Sequence, residues 1–335
     1  MTPHRSALNG ALLFDLEGST LHYWPIDYAK IDPEGRAPQN VFLHGFEALP
    51  DGSVLANFDD GGAIARIGPC GEILWRRTGK YHHSITLTED RASLWTLSED
   101  RLEQLSVEDG RVLRSIDVAE DVMKRYAAQG VLAIHQSTDN DENAYVRQRF
   151  HINDVEPLPR DFASAFPDFS AGDLLISLRE LNLVAVLDGS TAELRWWSHG
   201  PWHRQHDPDF LPDGTIAVLD NAMYSGHSRI VKINPRTRQL QVLLGRPGDT
   251  PFYTWIRGKQ EHLPGGNILV AEAQAGRAFE VDSSGKLLWE YQNIYDEQSN
   301  GVISRVEHIP SDFFEPGALR CPSLTGSSLI RHAHG

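Results

Sequence analysis

Residues 206–221 read HDPDFLPDGTIAVLDN, and residues 44–58, HGFEALPDGSVLANF, repeat the same phrase earlier in the chain. In both copies a histidine stands six residues before the proline of a Leu-Pro-Asp-Gly turn. A third copy, residues 258–273 (GKQEHLPGGNILVAEA), keeps the turn but has Gly258 at the histidine position. Internal repetition of this kind predicts a fold built from repeated structural units.

Each repeat has the pattern of short β-strands. An apolar run follows the Leu-Pro-Asp-Gly turn, as in residues 215–219, and a second run, SRIVKI, comes after a few polar residues. A turn with proline then leads to a third run, QLQVLL. With the strand that begins at the histidine, this gives about four strands in about 40 residues, which is typical of a β-propeller blade.

The number of units predicts an all-β fold, a six-bladed β-propeller that forms a single domain over residues 1–335. Five units begin at His44, His82, His151, His206 and near Gly258. The N-terminal strands within residues 11–24 and the run GVISRVEHI after Asn300 are expected to share the sixth blade. Closure of the last blade by the N-terminal strands would remove an exposed sheet edge.

Two stretches interrupt the repeats. Residues 118–150 begin with VAEDVMKRYAAQG, which has helical composition, so we expect a small part-helical insertion between the second and third blades. Residues 160–171 are rich in Phe, Pro and Asp and form a second insertion. Insertions in propellers lie on one face, often the binding face.

Composition limits the classes of partner. The net charge is −15, which argues against binding to nucleic acid or to anionic membrane surfaces. No apolar run reaches membrane-spanning length, and the N-terminus MTPHRSALNG has no signal-peptide core. The two cysteines, Cys70 and Cys321, could form one disulfide or stay separate.

Histidine is abundant, with 15 residues in 335, and some of these histidines lie at matching positions of the repeats. Since a residue at the start of each inner strand faces the axis of a ring of repeats, we expect this set to converge: His44, His82, His83, His151 and His206. The alternative is that they cap backbone groups near the axis. Asn153, two residues after His151, should point the same way as His151.

Arg179 lies in an otherwise apolar run, LLISLRELNLVAVLD. Its burial is costly unless an anion or a carboxylate pairs with it, and Glu180 could supply that carboxylate from a neighbouring strand. The alternative is an ordinary salt bridge at the rim. Asp220 and Asn221 end the strand that follows His206, where they are either a common turn pair or part of the site.

A family resemblance rests on five phrases in a fixed order: YHHSI, FHINDVEPLP, GDLLISLRE, RQHDPDFLPDGTIAVLDN and AGRAFEVDSSGKLLWEY. In this combination they resemble the bacterial arylsulfotransferases, which do not use a nucleotide donor, over residues 44–293. The resemblance implies a six-bladed propeller enzyme without a cofactor. It implies transfer of a sulfuryl group from an aryl sulfate to a phenol by a ping-pong mechanism through a sulfohistidine.

The resemblance also implies residue roles. His206 would be the nucleophile, and the other catalytic residues would be Arg179, His151 and His83. The substrate-binding residues would be His82, Asn153, His44 and Asn221, with no metal ligand among them. The chain departs from the family in the insertion between His151 and Arg179 and in Ala222, where glycine is usual. The family implies a periplasmic or secreted location, whereas the missing export signal leaves a cytoplasmic one open.

The chemistry is consistent with these residues. Sulfuryl transfer should resemble phosphoryl transfer, with in-line displacement and charge on three equatorial oxygens. A neutral imidazole is a competent nucleophile near neutral pH, and the Arg179 guanidinium offers a fixed, permanently charged fork.

Two other functions use the same residues. Four histidines around an axis could bind a metal, as in an iron-dependent oxygenase or a lyase, although Arg179 would repel the cation. A propeller that binds a ligand or a protein without catalysis is the other alternative. The partners expected for the enzyme are small aryl sulfates and phenols, and the sequence carries no sign of an oligomeric state.

Overall fold

The computed structural model describes residues 9–35, 41–59, 62–131 and 150–321. An N-terminal hairpin consists of β1 (Asn9–Phe14) and β2 (Thr20–Ile26), and helix α1 (Tyr28–Ile31) follows it. The remaining strands form five antiparallel sheets of four strands each and one short two-stranded sheet. In every four-stranded sheet the strands are consecutive in the chain, so each sheet is one blade of a β-propeller.

The blades have the following bounds. Blade 1 contains β3 (Phe42–Ala48), β4 (Val54–Asp59), β5 (Ala63–Ile67) and β6 (Ile73–Thr78). Blade 2 contains β7 (Tyr81–Leu87), β8 (Ser93–Ser98), β9 (Arg101–Ser106) and β10 (Val112–Asp117). Blade 3 contains β11 (Ile152–Pro157), β12 (Leu174–Leu178), β13 (Leu183–Leu187) and β14 (Leu194–His199). Blade 4 contains β15 (His206–Phe210), β16 (Ile216–Asp220), β17 (Arg229–Ile233) and β18 (Leu240–Leu244). Blade 5 contains β19 (Lys259–His262), β20 (Ile268–Glu272), β21 (Arg277–Val281) and β22 (Leu287–Gln292), and β23 (Ile294–Asp296) then pairs with β24 (Ser299–Asn300).

The core lies between the faces of neighbouring blades. The middle strands β12 and β13 are apolar and buried along their whole length, as expected for strands covered on both faces. Leu175 and Val184 of blade 3 pack in one cluster with Val218 and Val231 of blade 4. The outer strand β22, in contrast, alternates between exposed and half-buried residues.

The prediction of six blades is wrong, because the structure has five four-stranded blades. The pieces assigned to the sixth blade do not build a four-stranded sheet. Strands β1 and β2 pair only with each other, and Phe14 stacks on Trp289 and Tyr291 of β22.

The run after Asn300 is not a strand in the structure. It crosses between the inner strands of blades 1 and 5 and bonds to them largely through side chains. The Ser304 hydroxyl donates to the carbonyl of Leu43, and Arg305 forms an ion pair with Glu47 at 2.8 Å. On the other side, the Glu261 carboxylate accepts the backbone N–H of His308 at 2.8 Å. The sequence of this segment resembles a β-strand, which is why the repeat pattern assigns it to a sixth blade. Its backbone, however, forms no ladder of hydrogen bonds with a neighbouring strand.

The insertions are short where the structure describes them. The first contains helices Val118–Lys124 and Ala127–Gln129, and residues 132–149 of this insertion lie outside the described ranges. Val122 and Met123 of the first helix are buried in the core cluster of blades 2 and 3. The second insertion contains helix Ala163–Ala165. Within the described ranges, no helix has the length and apolar character to cross a membrane.

A disulfide joins Cys70 to Cys321, with the two Cα atoms 5.5 Å apart. Cys70 lies in the turn between β5 and β6 of blade 1, and Cys321 follows the segment that crosses from blade 5. The bond therefore ties the end of the described chain to the first blade.

Candidate active site

Five histidines form a cluster at the propeller axis, with His83 in its centre. Its ring centroid lies 4.2 Å from that of His44, 4.9 Å from that of His151 and 6.5 Å from that of His206. The ring of His82 is 4.8 Å away. The structure thus brings together the in-register histidines of four different blades.

A β-bulge occurs where each of these histidines enters the inner strand. The pairing register shifts between Leu43 and Phe46 in blade 1, and between His82 and Ile85 in blade 2. Blades 3 and 4 have the same irregularity, between Ile152 and Asp154 and between His206 and Asp209. Since a bulge re-aims side chains, these four explain how the inner strands turn imidazoles toward the axis.

The cluster also requires unusual backbone conformations. His83 and His151 have left-handed φ values of 57° and 47°, which are costly for residues other than glycine and are concentrated at functional sites. Gly45 permits the close approach of blades 1 and 2, because a Cβ there would stand 2.3 Å from the carbonyl oxygen of His83.

The tautomer of His206 follows from its neighbours. The Asn221 side-chain amide donates to the carbonyls of Thr254 and Arg257, both at 2.7 Å, so its Oδ1 must face His206 as an acceptor. His206 Nδ1 lies 2.7 Å from this oxygen and therefore carries the proton. The lone pair is on Nε2, which accepts the backbone N–H of Arg257 at 3.3 Å.

A second chain of hydrogen bonds fixes the other imidazoles. The carbonyl of Glu99 accepts from His82 Nε2 at 3.0 Å, so the lone pair of neutral His82 is on Nδ1. His83 Nδ1 must then donate to His82 Nδ1 across 2.6 Å, and His151 Nε2 donates to His83 Nε2 across 3.2 Å. His82 supports the cluster from outside, whereas His83 lines the axial cavity.

The imidazoles of His83, His151 and His206 are neutral at physiological pH. Burial, followed by the charge of Arg179, lowers the pKa of His206 to about 3. The same two causes hold the pKa of His151 far below its usual range. Burial and the neighbouring imidazoles likewise depress the pKa of His83. Nε2 of His206 therefore carries no proton in the free protein.

Arg179 supplies positive charge beside the cluster. It begins helix Arg179–Leu181 directly after β12, and its backbone N–H donates to the carbonyl of His151 at 3.0 Å. Its side chain is 13% exposed and pairs with Glu180 at 2.7 Å, and Arg204 binds the same carboxylate. Glu180 is thus the carboxylate partner, but it comes from the same helical turn rather than from a neighbouring strand.

Asn153 is buried on the inner strand of blade 3. Its amide donates to the carbonyl of Gln205 at 2.7 Å, and its Oδ1 is a buried acceptor with no hydrogen-bond partner among the described residues. The side chain borders a cavity of about 10 Å³ at the axis, which has room for about one water molecule. This axial cavity is also lined by His44, His83, His206, Asp207, Arg257, Gly258, Lys259 and Ser304.

Sequence reasoning missed the charged residues beside the histidines. Lys259 is half-buried, and its ammonium forms ion pairs with the carboxylates of Asp207 and Asp154, which raise its pKa. Asp207 follows His206 directly, and Lys259 follows Gly258, which occupies the histidine position of the fifth repeat. Alignment of the repeats position by position could have found both residues.

A steric constraint explains why position 258 is glycine and not histidine. Its φ is +97°, and a Cβ at this position would stand 2.7 Å from Thr254 Cγ2. Blade 5 therefore contacts His206 through the backbone N–H of Arg257, whereas the other blades supply a histidine side chain to the cluster. Among the described residues, no group of three or more His, Cys, Asp or Glu side chains has an arrangement suited to a metal ion.

Comparison with known proteins identifies the family. Residues 45–294 match the family model described as Arylsulfotransferase (ASST). The chain belongs to the arylsulfotransferase family. No curated protein matches the sequence significantly.

The fold also occurs among solved structures. A protein of unknown function from Bacteroides caccae is 12% identical, with a TM-score of 0.57 over 85% of this chain and 90% of that chain. Virginiamycin B lyase from Staphylococcus aureus is 11% identical, with a TM-score of 0.43 over 75% of this chain and 69% of that chain. The first of these similarities supports the fold alone.

Proposed function

We propose that this arylsulfotransferase-family protein moves a sulfuryl group from an aryl sulfate to a phenol through a covalent intermediate on His206. The observation that carries the proposal is the bond between His206 Nδ1–H and Asn221 Oδ1, 2.7 Å long. It keeps the lone pair on Nε2, at the axial cavity, and the depressed pKa keeps that lone pair free of a proton.

The first half of the reaction forms the intermediate. The Nε2 lone pair of His206 separates from the backbone N–H of Arg257 and attacks sulfur. The bond between sulfur and the aryl oxygen breaks, and the phenolate leaves with the bonding electrons and takes a proton from water. In the second half, the oxygen of the acceptor phenol attacks sulfur, the S–N bond breaks, and the acceptor releases its proton to water. Splitting the transfer in this way replaces one difficult step by two easier ones.

Charge on the sulfuryl oxygens would be stabilised mainly by Arg179. The depressed pKa values of His83 and His151 make these residues neutral hydrogen-bond donors rather than cations. Groups of this kind typically contribute about 3 kcal/mol each to transition-state stabilisation.

Donor binding must open the cluster, because the axial cavity holds only about one water molecule. We propose that the sulfuryl group separates His151 from His83. Breaking the 3.2 Å bond between these rings frees His151 Nε2–H to donate to a sulfuryl oxygen. The orphan Oδ1 of Asn153, which borders the same cavity, would then accept a proton-bearing group of the substrate or a water molecule.

We further propose that the protein works in an oxidising compartment, the periplasm or the cell exterior. The support is the disulfide between Cys70 and Cys321, since such bonds persist mainly in those compartments. Cell fractionation, with thiol labelling of the native protein, tests this location.

The test of function is trapping of the intermediate. Incubation with 4-nitrophenyl sulfate should add one sulfuryl group to His206, detected by mass spectrometry of peptides kept at alkaline pH. His206→Ala and His206→Asn should lose both the adduct and nitrophenol release, by on the order of a thousandfold or more. Arg179→Lys should retain part of the rate, because lysine keeps the charge and loses the fork.

His227→Ala is the matched control, since His227 is exposed and bonds only near Ser225 among the contacts described for it. It should transfer at the wild-type rate. An unchanged rate in His206→Ala would remove the covalent mechanism. Absence of transfer by the wild-type protein with several aryl sulfates would remove the proposed activity.

A further inference from the structure

A ring of carboxylates lies at the end of the propeller axis opposite the histidine cluster. Four inner strands have an acidic residue as their penultimate residue, and each of these residues pairs with the second residue of the following strand. They therefore lie at the same level of four blades, and Glu307 of the crossing segment lines the same pocket. We call this set the carboxylate ring: Glu47, Glu156, Asp209, Glu261 and Glu307.

The carboxylate ring surrounds a pocket that is far larger than the axial cavity. Its volume is about 720 Å³, within the range of small-molecule sites. Apolar side chains, including Phe162, Phe210 and Leu263, line this pocket together with the carboxylates. Asp207 and Lys259 border both this pocket and the axial cavity, so they form the partition between the two.

Negative charge in this pocket is not balanced by its cations. Eight carboxyl groups line it, the carboxylate ring together with Asp154, Asp207 and Asp213, against the cations Lys259 and Arg305. Burial, partly offset by nearby Arg305, raises the pKa of Glu47 to about 8. Burial and neighbouring carboxylates raise the pKa of Glu156 to about 8 as well. Protonation of Glu156 thus substitutes for a missing positive partner, whereas Glu47 is paired with Arg305 at 2.8 Å.

An independent sign of a ligand is Gln260. This residue is only 7% exposed, and it lines the acidic pocket. Its side-chain amide donates to the carbonyl of Asp207 at 2.8 Å, which fixes the orientation of the group and leaves Oε1 as the acceptor. Oε1 is buried and has no hydrogen-bond partner among the described residues. A buried orphan acceptor is costly, so it calls for a donor from a bound molecule.

We propose that the acidic pocket binds a small organic polyamine, with ammonium groups on the carboxylate ring and on Gln260 Oε1. Carboxylates spread around a ring suit separate ammonium groups, and the apolar wall between them suits methylene spacers. A single metal ion would need at least three convergent ligands, an arrangement that the described residues do not offer.

Isothermal titration calorimetry with spermidine tests the proposal. Wild-type protein should bind it at one site, and it should bind Mg²⁺ and the uncharged 1,4-butanediol at least about tenfold more weakly. Glu261→Gln and Asp209→Asn should each weaken spermidine binding by about tenfold or more, because each removes a carboxyl group that would ionise against a bound ammonium. Glu297→Gln changes the net charge equally at an exposed position outside the pocket and should leave the affinity unchanged.

The raised pKa values provide a second measurement that needs no variant. At pH 7, spermidine should release about one proton or more per site, because a bound ammonium lowers the pKa of Glu156 and Asp209, which burial and neighbouring carboxylates raise in the free protein. Titrations in buffers with different ionisation enthalpies measure this release. The proposal is overturned if wild-type protein does not bind spermidine at millimolar concentration, if Mg²⁺ binds as well, or if all three variants weaken binding equally.

Discussion

Replacement of Asn221 by alanine tests how the tautomer of His206 is set. The change removes the acceptor 2.7 Å from His206 Nδ1–H and leaves this buried N–H without a partner. An unsatisfied buried donor costs about 1–3 kcal/mol. If that cost falls on the tautomer with its lone pair on Nε2, the reactive population decreases by between about 5-fold and about 150-fold.

The backbone N–H of Arg257 opposes part of this loss. It donates to His206 Nε2 at 3.3 Å and would clash with a proton placed there, so it favours the reactive tautomer even without Asn221. A hydrogen bond of this kind is worth about 0.5–1.5 kcal/mol. We therefore expect kcat for nitrophenol release to fall roughly tenfold, with little change in KM, since Asn221 fixes the nucleophile and not the donor.

The assay is steady-state release of nitrophenol, together with ¹⁵N NMR of the histidine ring nitrogens to read the tautomer directly. Asn57→Ala is the control, because Asn57 is also buried and fully hydrogen-bonded but bonds to Gly45, Ser84 and Thr96 instead of His206. Thermal unfolding of both variants ensures that the assay temperature lies below their transitions. A kcat for Asn221→Ala within twofold of wild type, or the same decrease in Asn57→Ala, would refute the reasoning.

Three further predictions concern pH, the disulfide and Gly258. In the proposed mechanism His206 reacts only when it is neutral, and its pKa is about 3. The value of kcat/KM should therefore stay constant from about pH 8 to about pH 5 and fall only as the pH approaches about 3. An acid limb near pH 6.5 would contradict this prediction. Cys70→Ser should lower the free energy of unfolding in urea by about 2–5 kcal/mol, as should reduction of the wild-type protein, and equal stability of oxidised and reduced protein would rule out a structural bond. Gly258→Ala should be less stable than Gly265→Ala by about 1–3 kcal/mol, since both positions have φ of +97° but only the first would bring a Cβ within 2.7 Å of Thr254; equal unfolding midpoints would show that the contact relaxes without cost.

The repeat pattern located inner strands correctly, whereas the number of repeats gave the wrong number of blades. The positions of His44, His82, His151 and His206 located four inner strands, because each histidine stands at the start of a repeat with β-strand pattern. The count failed at the ends of the chain. A run such as GVISRVEHI has the composition of a strand, but whether it joins a ladder depends on neighbours that are far away in sequence.

Within the candidate site, sequence pattern identified the imidazoles but not their protonation. That His206 presents Nε2 depends on Asn221, and the orientation of Asn221 depends in turn on the carbonyls of Thr254 and Arg257. Every residue has a backbone carbonyl, so the residue types of a sequence do not show which carbonyls face a given side chain. The acidic pocket was missed for a different reason, because its carboxylates are conspicuous only when the penultimate residues of the inner strands are compared across blades.

The segment that crosses from blade 5 to blade 1 has a consequence for the order of assembly during synthesis. Each blade consists of consecutive strands and buries its faces against its neighbours, so blade 1 can begin to pack once blade 2, which ends at Asp117, has left the ribosome. The contacts of blade 1 with Ser304 and Arg305, and the bond from Cys70 to Cys321, need residues that are made much later. At about 5–20 residues per second, the side of blade 1 that the crossing segment later covers stays exposed for roughly ten to fifty seconds. The nascent chain is therefore an open arc for most of its synthesis, and its first blade is the surface through which two unfinished copies would exchange segments.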